Sequence, residues 1–209
     1  ASAAAAAFGA NLLLGNKFTQ SEIVSLAMEG ERLASGSAHA DNVAPALFGG
    51  ITLVRSYEPL DIIELHVPAE LYCVVIHPFS EVKTSVARGI LDKEIPLVTA
   101  VRQWGNLAGL VAGLYSEDYS LIGRSLKDYV AEPRRSVLIK GFDKLKKSAM
   151  ESGALGAGIS GSGPSVFALC RGRESAASVM RSMSDTMKAQ GIGFDSYMSP
   201  VSRRGAQLC

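Results

Sequence analysis

The segment Ala38-His39-Ala40-Asp41-Asn42-Val43-Ala44-Pro45 brings an imidazole, a carboxylate and a carboxamide within four residues of one another. The residue before a proline avoids the helical region, so the segment reads as a turn or the start of a helix. Polar groups crowded on a turn between apolar elements commonly face a ligand. The same residues also suit an Asx-turn or a helix N-cap, with Asp41 or Asn42 bonding its own backbone. Asn42 limits the chemistry, because a carboxamide cannot take up a proton at neutral pH.

A second constellation lies far downstream. Residues 156–163 hold four glycines, Gly156, Gly158, Gly161 and Gly163, interleaved with Ser160 and Ser162 and followed by Pro164. Glycine tolerates positive φ and close backbone approach. Successive N–H groups in such a loop can form an anion-binding nest; a ligand-free hairpin turn would carry the same glycines. No helix pattern opens directly after the loop, so it is not a dinucleotide fingerprint. It also lacks the Lys-Ser/Thr ending of a Walker loop. Pro164–Cys170 runs apolar like a strand, which places the loop between two strands.

Together these segments resemble the homoserine kinases, a family within the GHMP small-molecule kinase superfamily. His39 to Gly50 is close to a signature of that family, and Gly156 to Ser165 is similar to the superfamily's third motif. The resemblance continues through Glu31, Thr84, Arg88 and Glu132-Pro133-Arg134-Arg135, and covers essentially the whole chain. It implies phosphoryl transfer from ATP to the side-chain hydroxyl of L-homoserine, giving O-phospho-L-homoserine, a step toward threonine. Glu31 is implied as the magnesium ligand, with Glu29 as a nearby competitor; Mg2+ takes one or two carboxylates plus phosphate oxygens. Asn42 is implied at the substrate hydroxyl and His39 near the substrate, with Asp41 left a structural part such as a cap. Arg88 and Arg135 are implied as the clamp on the substrate carboxylate, a task suited to a bidentate guanidinium. Arg134 stands as an alternative to Arg135. Thr84 falls on the same helix face as Arg88, and Gly161 and Ser162 shape the substrate pocket. The rivals are another GHMP kinase, acting on mevalonate or a sugar, and a non-catalytic ligand-binding protein of the same fold.

The superfamily's phosphate loop precedes a small-residue helix, and this chain opens on Ala1-Ser2-Ala3-Ala4-Ala5-Ala6-Ala7-Phe8 without an initiator Met. The expectation is that about a third of a family member is missing, that the 209 residues alone are inactive and bind ATP poorly, and that they self-associate.

The elements that must position these residues follow from patterning. Ala1 to Leu14 reads as a helix ended by Gly15. Thr19-Gln20-Ser21-Glu22 is a capping box opening a helix that Gly36 closes. Phe48–Ser56, Ile62–Val67, Leu71–Ile76 and Phe194–Met198 read as strands, with Gly205–Leu208 pairing beside the last. Helices are expected over Thr84–Leu91, from Pro96 with Val98, Val101, Leu107, Leu110 and Val111 as its apolar set, over Tyr119–Tyr129, over Arg135–Met150 with a break near Gly141, and over Ser175–Gln190. Val179, Met183 and Met187 on that last helix form a core stripe. Strands and helices mix without strict alternation, so the class is α+β. The resemblance implies a GHMP-kinase fold: residues 1–57 as part of an N-terminal domain like domain 2 of ribosomal protein S5, and residues 58–209 as a ferredoxin-like C-terminal domain. Tyr57-Glu58-Pro59-Leu60-Asp61 is the expected boundary.

Composition is that of a globular protein, with 47% hydrophobic and 20% charged residues. A net charge of +1 gives no reason to expect nucleic acid or membrane as a partner. The partners expected are ATP and a small-molecule substrate, with a homodimer allowed. Cys73, Cys170 and Cys209 have no metal-binding spacing and read as free thiols. No apolar run reaches the roughly 18 residues of a membrane span, so the location expected is cytoplasmic.

Overall fold

A computed structural model describes residues 2–36 and 38–208. Its contacts divide the chain into two compact units, residues 1–67 with 201–209, and residues 68–200.

The first unit begins with α1 (Ser2–Leu13), the alanine helix, packed on α2 (Gln20–Ser35). Thr19 caps α2 through a complete capping box, and Gly36 ends it in the left-handed conformation at φ 79°. That geometry costs little only for glycine. Ile23, Val24 and Ala27 bury the inner face against Ala4, Val43, Ala44 and Leu47. α3 (Val43–Phe48) follows with Asn42 as its N-cap residue. Pro45 is therefore inside the first turn of a helix, where its missing N–H has no helical partner to lose. β1 (Ile51–Tyr57) and β2 (Leu60–Leu65) then form an antiparallel hairpin. The expected strand from Phe48 starts three residues late because Phe48 completes α3.

Two expectations are corrected here. Tyr57–Asp61 is the turn of the β1–β2 hairpin, Tyr57 pairing with Leu60, and the contact division falls at Val67/Pro68. Gly205–Leu208 does not extend the last strand; residues 201–209 return to the first unit, where Gly50 N–H donates to the Ser202 carbonyl at 2.6 Å. The crossing is backbone on backbone: a Cβ on Gly205 would sit 1.9 Å from the Leu47 oxygen, and one on Gly49 2.5 Å from the Arg204 carbonyl carbon.

The second unit is a four-stranded antiparallel sheet in the order β4-β5-β3-β6: β3 (Leu71–Pro78), β4 (Gly156–Ile159), β5 (Val166–Arg171) and β6 (Phe194–Pro200). Between β3 and β4 run α4 (Thr84–Gly89), α5 (Leu97–Ser116), α6 (Tyr119–Ser125), α7 (Glu132–Arg135), a single 3-10 turn and α8 (Phe142–Glu151). α9 (Arg173–Ala189) joins β5 to β6. With the helices between β3 and β4 as one connection, this is the βαββαβ order of a ferredoxin-like unit. α8 and α9 cover one sheet face. Ala176, Val179, Met183 and Met187 recur at helical spacing and are wholly buried on Val74, Ile76, Val166, Ala168 and Cys170. Each buried Val, Ile or Met among them contributes about 1.5–3 kcal/mol.

Burial pushes the Cys73 and Cys170 thiols up to about 11, from 9.0. The raised folded value means that stability is complete below the unfolded value and declines as pH rises from about 9 toward 11. In a Cys209→Ser background, a thiol-specific reagent at pH 8 should react about a hundredfold more slowly with native than with unfolded protein, in step with the smaller thiolate fraction; equal rates would contradict this burial. Gly205→Ala should lower urea stability by about 1–3 kcal/mol and expose the C-terminal segment to protease. An unchanged unfolding midpoint would contradict the backbone crossing.

Candidate functional site

In the first unit the polar set sits where α2 ends and α3 begins. Glu31 lies in the last turns of α2, half-buried and engaged in an interaction of its own. Glu29 is on the exposed side and pairs with Arg32 at 2.7 Å. Asp41 and Asn42 are both exposed. Asn42 makes no side-chain capping bond. The capping role considered for these residues therefore does not fall to the Asn42 carboxamide, which is presented at the head of α3. His39 is half-buried, and its Nε2 is a buried atom that meets no partner among the described residues. A buried ring nitrogen without a partner is costly, and a ligand polar group would relieve the cost.

In the second unit the geometry is tighter, because one guanidinium links three segments. Arg135, the last residue of α7, donates from Nε to the Ala87 carbonyl at 3.0 Å and from Nη1 to the Gly161 carbonyl at 2.9 Å. Ala87 is buried and precedes Arg88 in α4. Thr84 and Arg88 are both half-buried, one turn apart on α4, as their spacing requires. Gly161 and Ser162 lie in the loop joining β4 to β5, which closes on itself through Ser160 N–H to the Ser165 carbonyl and Gly163 N–H to the Ser160 carbonyl, both 2.9 Å. Gly161 has φ 58° and Gly163 φ 80°, so the glycines are needed here for their backbone conformation. His77 Nδ1 meets Ser165 Oγ at 2.8 Å and braces the far end of the loop.

The structure distinguishes the two arginines. Arg134 is exposed and pairs with Asp92 at 2.7 Å, whereas Arg135 faces the glycine loop. It also shows a positioning residue missing from the sequence analysis. Asp128 accepts backbone N–H bonds from Val130 at 2.7 Å, Ala131 at 3.0 Å and Glu132 at 3.0 Å, fixing the α7 turn that aims Arg135. An acidic residue four positions before Glu132-Pro133 was the available signal, since Pro in the first helical turn marks a helix start. Beneath that turn Glu132 pairs with Lys146, both largely buried.

No group of three His, Cys, Asp or Glu among the described residues could hold a metal ion. A single carboxylate such as Glu31 suits only an ion that keeps its waters or arrives on phosphate oxygens, which is how Mg2+ commonly binds.

The fold matches a known class. Residues 1–50 match the pattern described as GHMP kinases N terminal domain, and residues 110–189 that described as GHMP kinases C terminal. The chain belongs to the GHMP kinases. Within them it is 52% identical over 208 residues to a homoserine kinase of Chloroherpeton thalassium, covering 99% of this chain and 65% of that one. It is 50% identical over 210 residues to a homoserine kinase of Chlorobaculum tepidum, covering 100% of this chain and 65% of that one. The crystal structure of a homoserine kinase from Cytophaga hutchinsonii superposes with a TM-score of 0.94 at 55% identity, over 97% of this chain and 64% of that chain. L. major mevalonate kinase, at 18% identity and a TM-score of 0.66, shares the fold. The chain spans 65% of the length of the first two relatives.

Asp128→Ala should remove the acceptor of three backbone N–H groups and lower stability by about 1–3 kcal/mol. Protease cleavage within 160–165 should rise with it, because Arg135 loses its support. Arg134→Ala, which breaks only an exposed pair worth about 0–1 kcal/mol, should leave both unchanged. Equal effects of the two substitutions would contradict the distinction drawn between these arms.

Proposed function

We propose that the protein carrying this chain is an ATP-dependent kinase phosphorylating the side-chain hydroxyl of L-homoserine. The observation that carries the reading is similarity to homoserine kinases at 50–55% identity over nearly all of the chain. The side chains are suited to that chemistry. In the second unit Arg88 and Arg135 are the proposed holders of the substrate carboxylate, with Thr84, Gly161 and Ser162 as substrate contacts of the same unit. In the first unit His39 is a proposed substrate contact in its own right. Arg135 has Nη2 donors beyond the two bonds it makes to backbone, and a planar fork of this kind accepts a carboxylate. Asn42 orients the hydroxyl by hydrogen bonding and takes no proton, so rate depends on alignment and on the field of the site. Glu31 is the candidate ligand for Mg2+, which would neutralise charge on the transferring phosphate when bound. ATP is the donor implied by kinase family membership. No helix among the described residues is long and apolar enough to cross a membrane. Cys73 and Cys170 are free thiols, which favours a reducing, cytoplasmic location.

The test is a coupled ADP-release assay with L-homoserine and mevalonate on the full protein containing this chain. The expected result is turnover of homoserine and negligible turnover of mevalonate; the reverse preference would overturn the substrate reading. Asn42→Ala should lower kcat by roughly tenfold to a thousandfold, the range for a positioned polar group at a transition state. Asn42→Asp should not restore it fully. Wild-type rates in Asn42→Ala would remove Asn42 from the site.

A further inference from the structure

α3 has six residues, fewer than the roughly 12–15 at which an isolated helix becomes even marginally stable. Its neighbours must hold it. Val43, Ala44 and Leu47 are buried with Ile23, Val24 and Ala27. Apolar contact is non-directional, so this core holds α3 against α2 more firmly than it fixes α3 along its own axis. The head of the helix does not fix it either. The Asn42 side chain makes no capping bond, and the Asn42 carbonyl accepts from Ala46 N–H at a long 3.4 Å.

The tail of α3 is held by backbone. The Leu47 carbonyl accepts from Gln20 Nε2 at 2.8 Å, and the Cα of Gly205 lies so close that a Cβ there would sit 1.9 Å from the same oxygen. Gly49 and Gly50 follow at φ 79° and 61°. Gly49 packs beneath Arg203, Arg204 and Gly205, where a Cβ would come within 2.9 Å of backbone atoms of all three. Gly50 N–H donates to the Ser202 carbonyl at 2.6 Å. The crossing segment is itself tied down within the first unit. Arg203 Nη2 donates to the Val67 carbonyl at 2.7 Å. Ser202 Oγ donates to the Arg204 carbonyl at 2.9 Å and accepts from Arg204 N–H at 3.3 Å, which closes a bend. Ala206 packs on the core that α2 and α3 share.

We propose that residues 202–206 are a strap that positions Asn42: it clamps the tail of α3 and so sets how far the carboxamide reaches toward the substrate hydroxyl. Asn42 precedes Leu47 by five residues, about 7.5 Å along a helix axis. A helix this short shifts as a unit, so movement of its tail is passed to its head. A misplacement of about 1 Å at a reacting group can cost roughly a hundredfold in rate. The strap's role rests on the catalytic reading of Asn42 given above. A strap that served folding alone would lower stability and leave the rate of the folded enzyme unchanged.

The test is steady-state kinetics on the full protein containing this chain, well below the melting temperature of every variant compared. Gly205→Ala should lower kcat for L-homoserine about tenfold, with KM changed by less than about twofold. Ser202→Ala opens the bend without adding bulk and should lower kcat severalfold. In an Asn42→Ala background neither change should lower kcat by a further factor of about two, because the group they position is gone. An unchanged kcat in Gly205→Ala, or in Ser202→Ala where Gly205→Ala does not fold, would overturn the proposal. So would a loss confined to KM, or strap losses that multiply in full on that of Asn42→Ala. A wild-type kcat in Asn42→Ala alone is a separate result: it overturns the catalytic reading of Asn42, and the strap's role with it.

Discussion

The hydrogen bonds of one guanidinium organise the second unit's polar set. Arg135 reaches the carbonyl of Ala87 in α4 and the carbonyl of Gly161 in the β4–β5 loop, 48 and 26 residues away in sequence. Charged donors make hydrogen bonds about twice as strong as neutral ones. Two of them here join a helix, a turn and a glycine loop that share no strand pairing. The demand then passes to the supports: Asp128 must hold the α7 turn, His77 must hold the far end of the loop, and the sheet must hold β4 against β5. Lysine could not replace Arg135, because its point charge cannot reach two carbonyls in fixed directions.

The sheet beneath is the rigid part of the second unit. β3 is central, paired with β5 on one side and β6 on the other, and its inward residues Val74 and Ile76 are wholly buried. The glycine loop is thus a hairpin tip on a packed sheet, a setting that fixes its ends while leaving its backbone conformation to Gly161 and Gly163. In the first unit the corresponding fixing is done by α2 and α3. Their buried faces share a core, and the Asn42 carboxamide is presented from the head of α3.

Much of this was legible in the sequence, where local chemistry and the fold agreed. The Thr19–Glu22 capping box, the Gly36 stop, the Val179–Met187 stripe and the two-strand setting of the glycine loop rest on rules that act over a few residues. Asp128 as the support of α7 and the separate partners of Arg134 and Arg135 were not legible, because each depends on which groups tertiary structure brings near. The return of residues 201–209 to the first unit was hidden for the same reason: Gly205 packs on Leu47 through backbone atoms, which no side-chain pattern records. α5 was legible as a helix, but which of its sides packs inward was not. Its apolar periodicity is real, but packing onto α6 uses the glycine side, and the large side chains face out.

Under the proposed function, Arg135 serves the substrate carboxylate while bracing the loop. The most direct measurement is kcat/KM for L-homoserine and for its carboxamide analogue, in the wild-type full protein and in Arg135→Leu. A clamp on the carboxylate predicts a loss of roughly 2–4 kcal/mol in transition-state binding for the acid, the scale for removing one partner of a buried charge pair, and a far smaller loss for the amide. Equal losses for acid and amide would contradict the clamp and leave Arg135 a brace for the loop alone.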